Sequence, residues 1–374
     1  MKKYFKLLAA CMLWIVTYSC SNEGMLDDLQ PVNNNETTST RTVADASFSR
    51  IYILSEGVWH EAGGSEPGAI TQWDKSGATF NKTDIMYVGD TGNDMLLIGD
   101  YLYCAVSGHD LNSNDGKILI LDTTKDKLTV QDSIIIMDPV SGNRRGMPRH
   151  LTTDNSKLYV TLYSGAVASV DLSSKQIKTT SLTGTYSEGI CIVDNDLYIC
   201  NSGRLGDTQA GNGTTISVLP KDFTSTTVDD TIHVELNPKL IMQTDRGQIF
   251  YNILGEYAMN SALYELVGTE SILATTKVSG FDIDNSLQCI YTADMNWNTY
   301  ETVMKKIDIA TYNQLPFTSD PGYMFGFSVT VAPDGKVCYG QTMSDQLYIF
   351  DNASPYNYIE LATTVQNVNK AVFK

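Results

Sequence analysis

The chain has 374 residues, of which 26 are basic and 43 are acidic, so its formal net charge is −17. This acidic balance excludes a typical nucleic-acid-binding protein, because such proteins present basic grooves to phosphates. It also argues against charge-driven attachment to anionic lipid and indicates a domain that stays soluble by self-repulsion.

The first residues predict export and lipid attachment. Lys2, Lys3 and Lys6 form a basic start, and residues 7–16 are apolar but too few to span a bilayer as a helix. The sequence that follows, Thr17-Tyr18-Ser19-Cys20, resembles a lipobox, in which the cysteine is acylated and the signal is cleaved before it. The resemblance implies lipidation at Cys20, although Thr17 stands where an aliphatic residue is usual and Tyr18 is bulky.

Two alternatives to this processing remain open. Residues 8–11, Leu-Ala-Ala-Cys, fit the lipobox consensus better, but Cys11 follows Lys6 so closely that almost no apolar region precedes it. An ordinary signal peptide cleaved nearby is the other alternative. We therefore expect residues 1–19 to be the lipoprotein signal and residues 20–47 to be the lipidated cysteine and a flexible tether, because few large apolar side chains occur there.

The mature chain, which we expect to begin at Cys20 and to carry its folded body at residues 48–374, is more acidic than the whole chain. Loss of the three signal lysines leaves 23 basic residues against 43 acidic ones, a net charge of −20. Acidic residues at positions 23, 27 and 28, just behind the lipidated cysteine, resemble the export tag of cell-surface lipoproteins. We therefore expect an outer-membrane or cell-surface location through a lipid anchor.

Five cysteines remain in the mature body besides the lipidated one. They lie mostly in apolar, strand-like runs, which favours buried free thiols over disulfides; they are Cys104, Cys191, Cys200, Cys289 and Cys338. Cys191 and Cys200 could face each other across a hairpin, so a disulfide there is the alternative. The four histidines have no ligand spacing, and we predict neither a metal site nor a cofactor.

A repeated phrase predicts the fold. In its cleanest copy, residues 149–182, an apolar run leads through an Asp-Asn-Ser turn into Leu-Tyr-Val-Thr, and two more short runs follow. Four short strands joined by tight turns make one β-propeller blade. Similar copies occupy residues 95–122, 190–218, 240–264, 281–308 and 327–351. A β-sandwich or β-helix is the alternative fold.

The first unit lacks its inner strand. Residues 50–54, Arg-Ile-Tyr-Ile-Leu, match a second strand, and the missing first strand resembles residues 369–373 at the other end of the chain. We therefore predict an all-β, seven-bladed propeller in which the C-terminal strand closes blade one. Closure in this way removes two open sheet edges.

The Leu-Tyr-Val second strands and the Val-Asp third strands resemble those of YncE-like, surface-layer-type propellers. The opening run Ser55-Glu56-Gly57 is similar to the Asn-Glu-Gly of a lipoprotein branch of that group. This branch includes cobalamin-capturing surface lipoproteins of the BtuG type, which sit on a TonB-dependent transporter. The resemblance implies ligand binding in support of nutrient uptake, with a corrinoid as one candidate and a TonB-dependent outer-membrane transporter as partner.

One face of the propeller is the predicted binding face. The loops between second and third strands lie on the same side as the connections between blades, and these loops are long and variable, as binding loops usually are. The candidate ligand-binding residues on it are Trp59, His60, His109, Arg144, Arg145, Arg149, Tyr163, Tyr186, Arg204, Tyr257, Asn296, Trp297, Tyr323 and Phe325.

Aromatic rings beside amide and guanidinium donors suit a large, partly apolar ligand such as a corrinoid. A glycan or a protein partner would also fit, which leaves an adhesin or complex subunit as the alternative function. The arginines at 144, 145 and 149 could bind an anionic group, or they could neutralise neighbouring acids.

We predict no enzymatic activity as the main function, since the sequence carries no nucleophile motif, metalloprotease motif or phosphate loop. A propeller hydrolase or lyase remains the second alternative. In that case Glu188, His150 and Asp282 are the side chains that could approach the central channel from the inner strands.

Overall fold

A computed structural model describes residues 47–58, 65–110, 113–139, 142, 145–180, 183–184, 186–203, 213–223, 230–256, 260–295, 302–317, 326–351 and 358–374. These residues form seven antiparallel sheets of four strands each. The inner strands of neighbouring sheets contact one another in a closed ring. The predicted all-β, seven-bladed propeller is therefore confirmed.

Each blade runs from an inner strand at the axis to an outer strand at the rim. In blades one to four the strands, inner first, are β28 (Val368–Phe373), β1 (Arg50–Ser55), β2 (Gly68–Ser76) and β3 (Thr79–Gly89); β4 (Gly92–Ile98), β5 (Tyr101–Val106), β6 (Lys117–Asp122) and β7 (Thr129–Ile134); β8 (Pro148–Thr153), β9 (Lys157–Leu162), β10 (Val167–Asp171) and β11 (Ile177–Thr179); β12 (Ser187–Val193), β13 (Asp196–Ser202), β14 (Thr214–Pro220) and β15 (Asp230–His233).

Blades five to seven follow the same order. Their strands are β16 (Pro238–Gln243), β17 (Ile249–Ile253), β18 (Ala262–Val267) and β19 (Glu270–Thr276); β20 (Gly280–Asp284), β21 (Cys289–Met295), β22 (Thr302–Asp308) and β23 (Gln314–Leu315); β24 (Gly326–Val331), β25 (Val337–Gln341), β26 (Gln346–Phe350) and β27 (Tyr358–Ala362).

The hydrophobic core lies between adjacent blades. In blade two the second and third strands are buried on both faces, which explains why they read as continuous apolar runs rather than alternating ones. Between blades two and three, for example, Ile118 and Ile120 pack in one cluster with Leu158 and Val160, and all four are almost fully buried. Each blade thus stabilises its neighbour, and the ring has to close for every face to be covered.

The recurring aspartates of the repeat fix the turns. In blade three Asp154 Oδ1 accepts hydrogen bonds from Ser156 N at 3.0 Å and from Lys157 N at 2.8 Å. Asp284 Oδ1 does the same in blade six, with Ser286 N at 3.0 Å and Leu287 N at 3.0 Å. A short carboxylate that bonds the backbone two and three residues on is a typical turn-forming device.

The C-terminal strand closes blade one as predicted. β28 pairs antiparallel with β1, with Ile53 opposite Ala371 and Ile51 opposite Phe373. Val368 and Ala371 are buried in the cluster that joins blades one and seven. The backbone carbonyl of Lys374 accepts hydrogen bonds from Ser49 N at 2.8 Å and Arg50 N at 2.9 Å. The last residue is therefore tied to the first strand of the domain.

Six of the seven inner strands carry an extra residue near their amino ends. In β8, for instance, Pro148 is opposite Leu162 and Leu151 is opposite Val160, so three steps on the inner strand match two on its partner. Similar shifts occur in β4, β12, β16, β24 and β28, whereas β20 pairs regularly. A bulge re-aims side chains, and these bulges set the residues that face the channel.

The five body cysteines are buried and free, as expected. Cys191 and Cys200 do not face each other across their hairpin, because the register places Cys191 opposite Tyr198 and Ile190 opposite Ile199. The alternative disulfide is therefore wrong in this structure.

Candidate functional site

A pair of opposite charges bridges the inner strands of blades three and four. Arg149 and Glu188 both occupy bulged positions. Arg149 Nη2 lies 2.7 Å from Glu188 Oε1, and Arg149 Nε lies 3.2 Å from Glu188 Oε2. Arg149 Nη1 also donates to Asn93 Oδ1 at 2.6 Å. The guanidinium thus joins the channel walls of three successive blades through paired hydrogen bonds.

His150 lies between two carboxylates. Its Nε2 is 3.3 Å from Glu188 Oε2, and its Nδ1 is 3.6 Å from Asp94 Oδ2. Burial alone would lower the pKa of His150, but the two carboxylates outweigh burial and raise it. Because both nitrogens face acceptors, the doubly protonated ring is the form that this arrangement stabilises.

Asp94 is an acid of the channel whose carboxylate is held in place by backbone amides. Its oxygens accept hydrogen bonds from Leu151 N at 2.9 Å and Met95 N at 2.8 Å. Burial by itself would raise the pKa of Asp94, yet the charges of Lys370 and His150 lower it to about 2. For Glu188 burial is likewise outweighed, by Arg149 and His150, and its pKa falls to about 2. Both carboxylates are therefore ionised at neutral pH.

Lys370 brings the closing strand into the site. Its Nζ lies 3.6 Å from Asp94 Oδ1, and this carboxylate raises the pKa of Lys370. Asp282, which lines the same cavity as Lys370, accepts hydrogen bonds from Val331 N at 2.7 Å and from Ile283 N at 2.8 Å. Burial raises the pKa of Asp282. The pKa of the Lys370 ammonium and that of the Asp282 carboxyl are thus both raised, and both groups line the same cavity.

Two more charged residues interact with those already named, and together these side chains form a charged layer. Glu56, which follows β1, interacts electrostatically with Arg149 and Lys239, and burial raises its pKa. Lys239, at the bulge of β16, has a pKa that burial lowers despite the attraction of Glu56 and Glu188. The layer therefore holds four bases and four acids, which are Arg149, His150, Lys239 and Lys370 with Glu56, Asp94, Glu188 and Asp282.

A cavity of about 450 Å³ adjoins the charged layer. It begins at Asp94, His150 and Lys370, and it extends to Thr153 and Asn285, where inner strands turn back toward the second strands. A smaller cavity of about 50 Å³ shares Asp94, His150 and Lys370 with it. The larger volume lies within the usual range for small-molecule pockets of roughly 300–1,000 Å³.

Three of the residues predicted for the binding face come together near the amino ends of the inner strands. The guanidinium carbon of Arg149 lies 5.6 Å from the ring centroid of Tyr163. Tyr163 and Tyr186 pack edge to face, with 4.6 Å between centroids. His109 contacts other partners, with Nδ1 2.9 Å from Ser65 Oγ and 3.5 Å from Asp90 Oδ2.

Besides His109, the structure describes one more of the residues predicted for that face, Arg145. Arg145 lies in the connection between blades two and three, where its backbone N donates to Asn114 Oδ1 at 2.7 Å. The others lie outside the described residues, as does the predicted lipidation site Cys20; they are Trp59, His60, Arg144, Arg204, Tyr257, Asn296, Trp297, Tyr323 and Phe325.

Of the three side chains proposed to approach the channel, His150 and Asp282 line the cavity, and Glu188 contacts His150 beside it. Four channel residues were not predicted, namely Glu56, Asp94, Lys239 and Lys370. The available signal was their position, because Asp94, Lys239 and Lys370 each follow a small or turn-forming segment at the start of an inner strand. A charged residue at the start of a strand at the axis cannot face solvent on the outside of the ring.

Among the described residues no group of three or more His, Cys, Asp or Glu side chains is arranged to hold a metal ion. In the same part of the chain no helix is long and apolar enough to cross a membrane.

Comparisons with known proteins show the fold alone. No protein-family model matches the chain, and no curated protein sequence matches it. The fold is similar to a "putative 6-phosphogluconolactonase" from Bacteroides fragilis, with a TM-score of 0.61 and 10% identity over 88% of this chain and 99% of that one. A protein described in the same words from Bacteroides uniformis gives 0.60 and 9%, over 87% and 100%.

Proposed function

We propose that this protein binds a small polar molecule in the central channel and presents that site outside the cell on a lipid anchor at Cys20. The observation that carries the proposal is the buried charged layer beside a cavity of about 450 Å³. Apolar packing along the axis would be the cheaper way to close the ring, because burying charges costs free energy even when they are paired. Such groups beside a cavity are typical of functional sites.

The geometry favours binding over catalysis by His150. A general base needs an unprotonated nitrogen that can reach the substrate. Both nitrogens of His150 are directed at carboxylates, and its pKa is raised, so the ring is held as a cation. Its role in this arrangement is to hold Asp94 and Glu188 in place.

A substitution that fills the channel tests the proposal. Met242 lines both cavities, and Met242→Trp would occupy the space that a ligand needs. The matched control is Val267→Trp on the exposed outer hairpin of blade five. Ligand-induced stabilisation is measured by thermal unfolding with a panel of sugars, sugar acids, amino acids and cyanocobalamin. If a ligand stabilises the wild type and Val267→Trp but not Met242→Trp, the result supports binding in the channel. If no compound of the panel stabilises the wild type, the result counts against the proposal.

A corrinoid would be held differently. It is a large flat ring edged by amides, and it would lie across the face formed by Arg149, Tyr163 and Tyr186 rather than inside the channel. Cyanocobalamin binding that survives Met242→Trp but is lost in Tyr163→Ala would favour that use of the face. Co-purification of a TonB-dependent transporter with the tagged lipoprotein would then support a role in uptake.

Hydrolysis is the second candidate function, because Asp282 places a carboxyl of raised pKa at the cavity beside Lys370. The likeness in fold to two proteins that carry a lactonase name makes 6-phosphogluconolactone the first substrate to assay. Turnover that is abolished by Asp282→Asn would establish this candidate. Absence of turnover in a protein that still binds ligands would remove it.

A further inference from the structure

Resting on the proposed function, we infer that the ligand of the channel is a small organic anion whose carboxylate binds Lys370 while its body lies against the apolar wall of blades five and six. Lys370 is more accessible than its charged neighbours His150 and Asp94 at the cavity, with 35% of its side chain exposed, against 16% for His150 and 9% for Asp94.

Two acids of the layer, Asp94 and Glu188, already have their donors. Asp94 accepts from two backbone amides and faces Lys370 and His150. Glu188 accepts three contacts from Arg149 and faces His150. A carboxylate has about four acceptor positions, so neither acid has capacity to spare for a cationic or hydroxylated ligand.

One base of the layer, Lys370, retains hydrogen-bond donors for a ligand. Lys370 has three N–H donors, and Asp94 at 3.6 Å is its ion-pair partner among the described residues. By contrast, Arg149 and His150 are already directed at Glu188, Asp94 and Asn93. Burial raises the pKa of Asp282 and so favours the neutral over the charged form of this carboxyl. The environment of Lys370 therefore accommodates one further negative charge.

The opposite wall is apolar. Leu240, Met242 and Ile283 line the cavity and are partly exposed to it, and they pack on the core between blades five and six. Near the far end Thr152, Thr153, Gln243 and Asn285 supply neutral hydrogen-bonding groups. A compact anion with an apolar body thus matches the cavity better than a polycation or a fully hydroxylated neutral sugar.

A charge series of nearly equal shape tests this inference. Benzoate, benzamide and benzamidine are planar and similar in size, but they are anionic, neutral and cationic. Calorimetry with the full mature chain should give benzoate an affinity about tenfold above benzamide, the gain expected for one hydrogen bond to a charged group. Lys370→Met should abolish this preference and Lys370→Arg should retain it, while Lys125→Met, an exposed lysine away from the channel, should leave it unchanged.

Three results would overturn the inference. Tighter binding of benzamidine than of benzoate would show that the site selects a cation. Equal binding of benzoate and benzamide would show that charge plays no part, although the channel would still be a binding site. Failure of all three compounds to bind would count against the proposed function as well. If Lys370→Met does not fold, anomalous scattering from 4-bromobenzoate soaked into wild-type crystals decides, since bromine should lie by Leu240 and Met242.

Discussion

Arg149 and Glu188, on the inner strands of adjacent blades, meet in a two-pronged ion pair with Nη2 to Oε1 at 2.7 Å and Nε to Oε2 at 3.2 Å. Only 22% and 11% of the two side chains are exposed. The pair lies at the axis of the ring, where it links the channel wall of blade three to that of blade four. Its replacement should therefore affect both stability and the shape of the site.

Breaking this pair on one side should be costly. Glu188→Gln leaves the Arg149 guanidinium buried without a counter-charge and should lower the free energy of unfolding by about 3 kcal/mol. The double variant Arg149→Met, Glu188→Leu should lose less free energy of unfolding than the single variants Arg149→Met and Glu188→Leu lose together, because neither member of the pair is left without its partner. Urea denaturation measures all of them. Strictly additive losses would show that the two residues are not energetically coupled.

His150 predicts a pH dependence with a definite sign. Its pKa is raised in the folded state above the ordinary value of 6.5, so its contribution to stability is complete below that pH. The contribution is lost as the pH rises through the raised folded pKa. The groups that face it or act on it electrostatically are Asp94, Glu188 and Glu56.

The test compares the free energy of unfolding from pH 6 to pH 9, a window that begins near the ordinary histidine pKa of about 6.5 and extends above it. Wild-type protein should lose stability across it, and His150→Gln should lose clearly less. His233→Gln is the matched control, because His233 is an exposed histidine on the rim strand β15. A slope in His150→Gln equal to that of the wild type would contradict the assignment.

The acidic limb should behave in the opposite way. Asp94 and Glu188 have folded pKa values of about 2, below their ordinary values of 3.8 and 4.5. Their stabilisation is therefore present at neutral pH and is lost as the pH falls from about 4 toward 2. Asp94→Asn should be less stable than the wild type at pH 7 and should lose less on acidification. Denaturant melts at both pH values measure this difference.

The fold could be predicted from the sequence because turn-forming residues and apolar runs mark the strands of the repeat. The Asp-Asn-Ser turn at 154–156 recurs at 284–286, and the apolar second strands recur from blade to blade. The first unit lacks an inner strand, and residues 369–373 are its complement. The two-residue strand β23 was not predictable, since Gln314–Leu315 is too short to show alternation.

The channel was harder to predict for two physical reasons. Regular alternation would send only one of Arg149 and His150 inward, but the bulge in β8 directs both to the layer. Moreover, Arg149 and Glu188 are 39 residues apart in sequence, and Lys370 meets Asp94 only because the ring closes. Such contacts follow from the circular arrangement of blades and have no signature in any one repeat.

Removal of residues 367–374 should unfold or aggregate the domain. The deletion exposes β1 as an open edge, uncovers the buried cluster between blades one and seven and takes Lys370 from the channel. Lys374→Ala is the matched control, because it keeps the strand and removes only the side-chain contacts with Asp100 and Thr123. It should cost about 1 kcal/mol or less. An unchanged melting temperature in the deletion would contradict closure by this strand.

The body thiols should be unreactive until the protein unfolds. Burial raises the pKa of Cys191 to about 12 and of Cys289 to about 11, and the other three body cysteines are also buried. An aromatic disulfide reagent should therefore label none of these thiols in native protein. After denaturation without reductant it should label all five. A count of three would indicate that Cys191 and Cys200 are bonded in the exported protein.

The lipid anchor can be tested with the two N-terminal cysteines as a matched pair. Cys20→Ser should abolish incorporation of labelled fatty acid and release the protein from the membrane fraction, because the acyl chains supply the attachment at roughly 0.8 kcal/mol per buried methylene. Cys11→Ser should change neither result if cleavage precedes residue 20, since Cys11 then leaves with the signal. The reverse outcome, with lipid lost only in Cys11→Ser, would move the mature start to residue 11. Retention of label in both single variants would contradict acylation at a single lipobox cysteine.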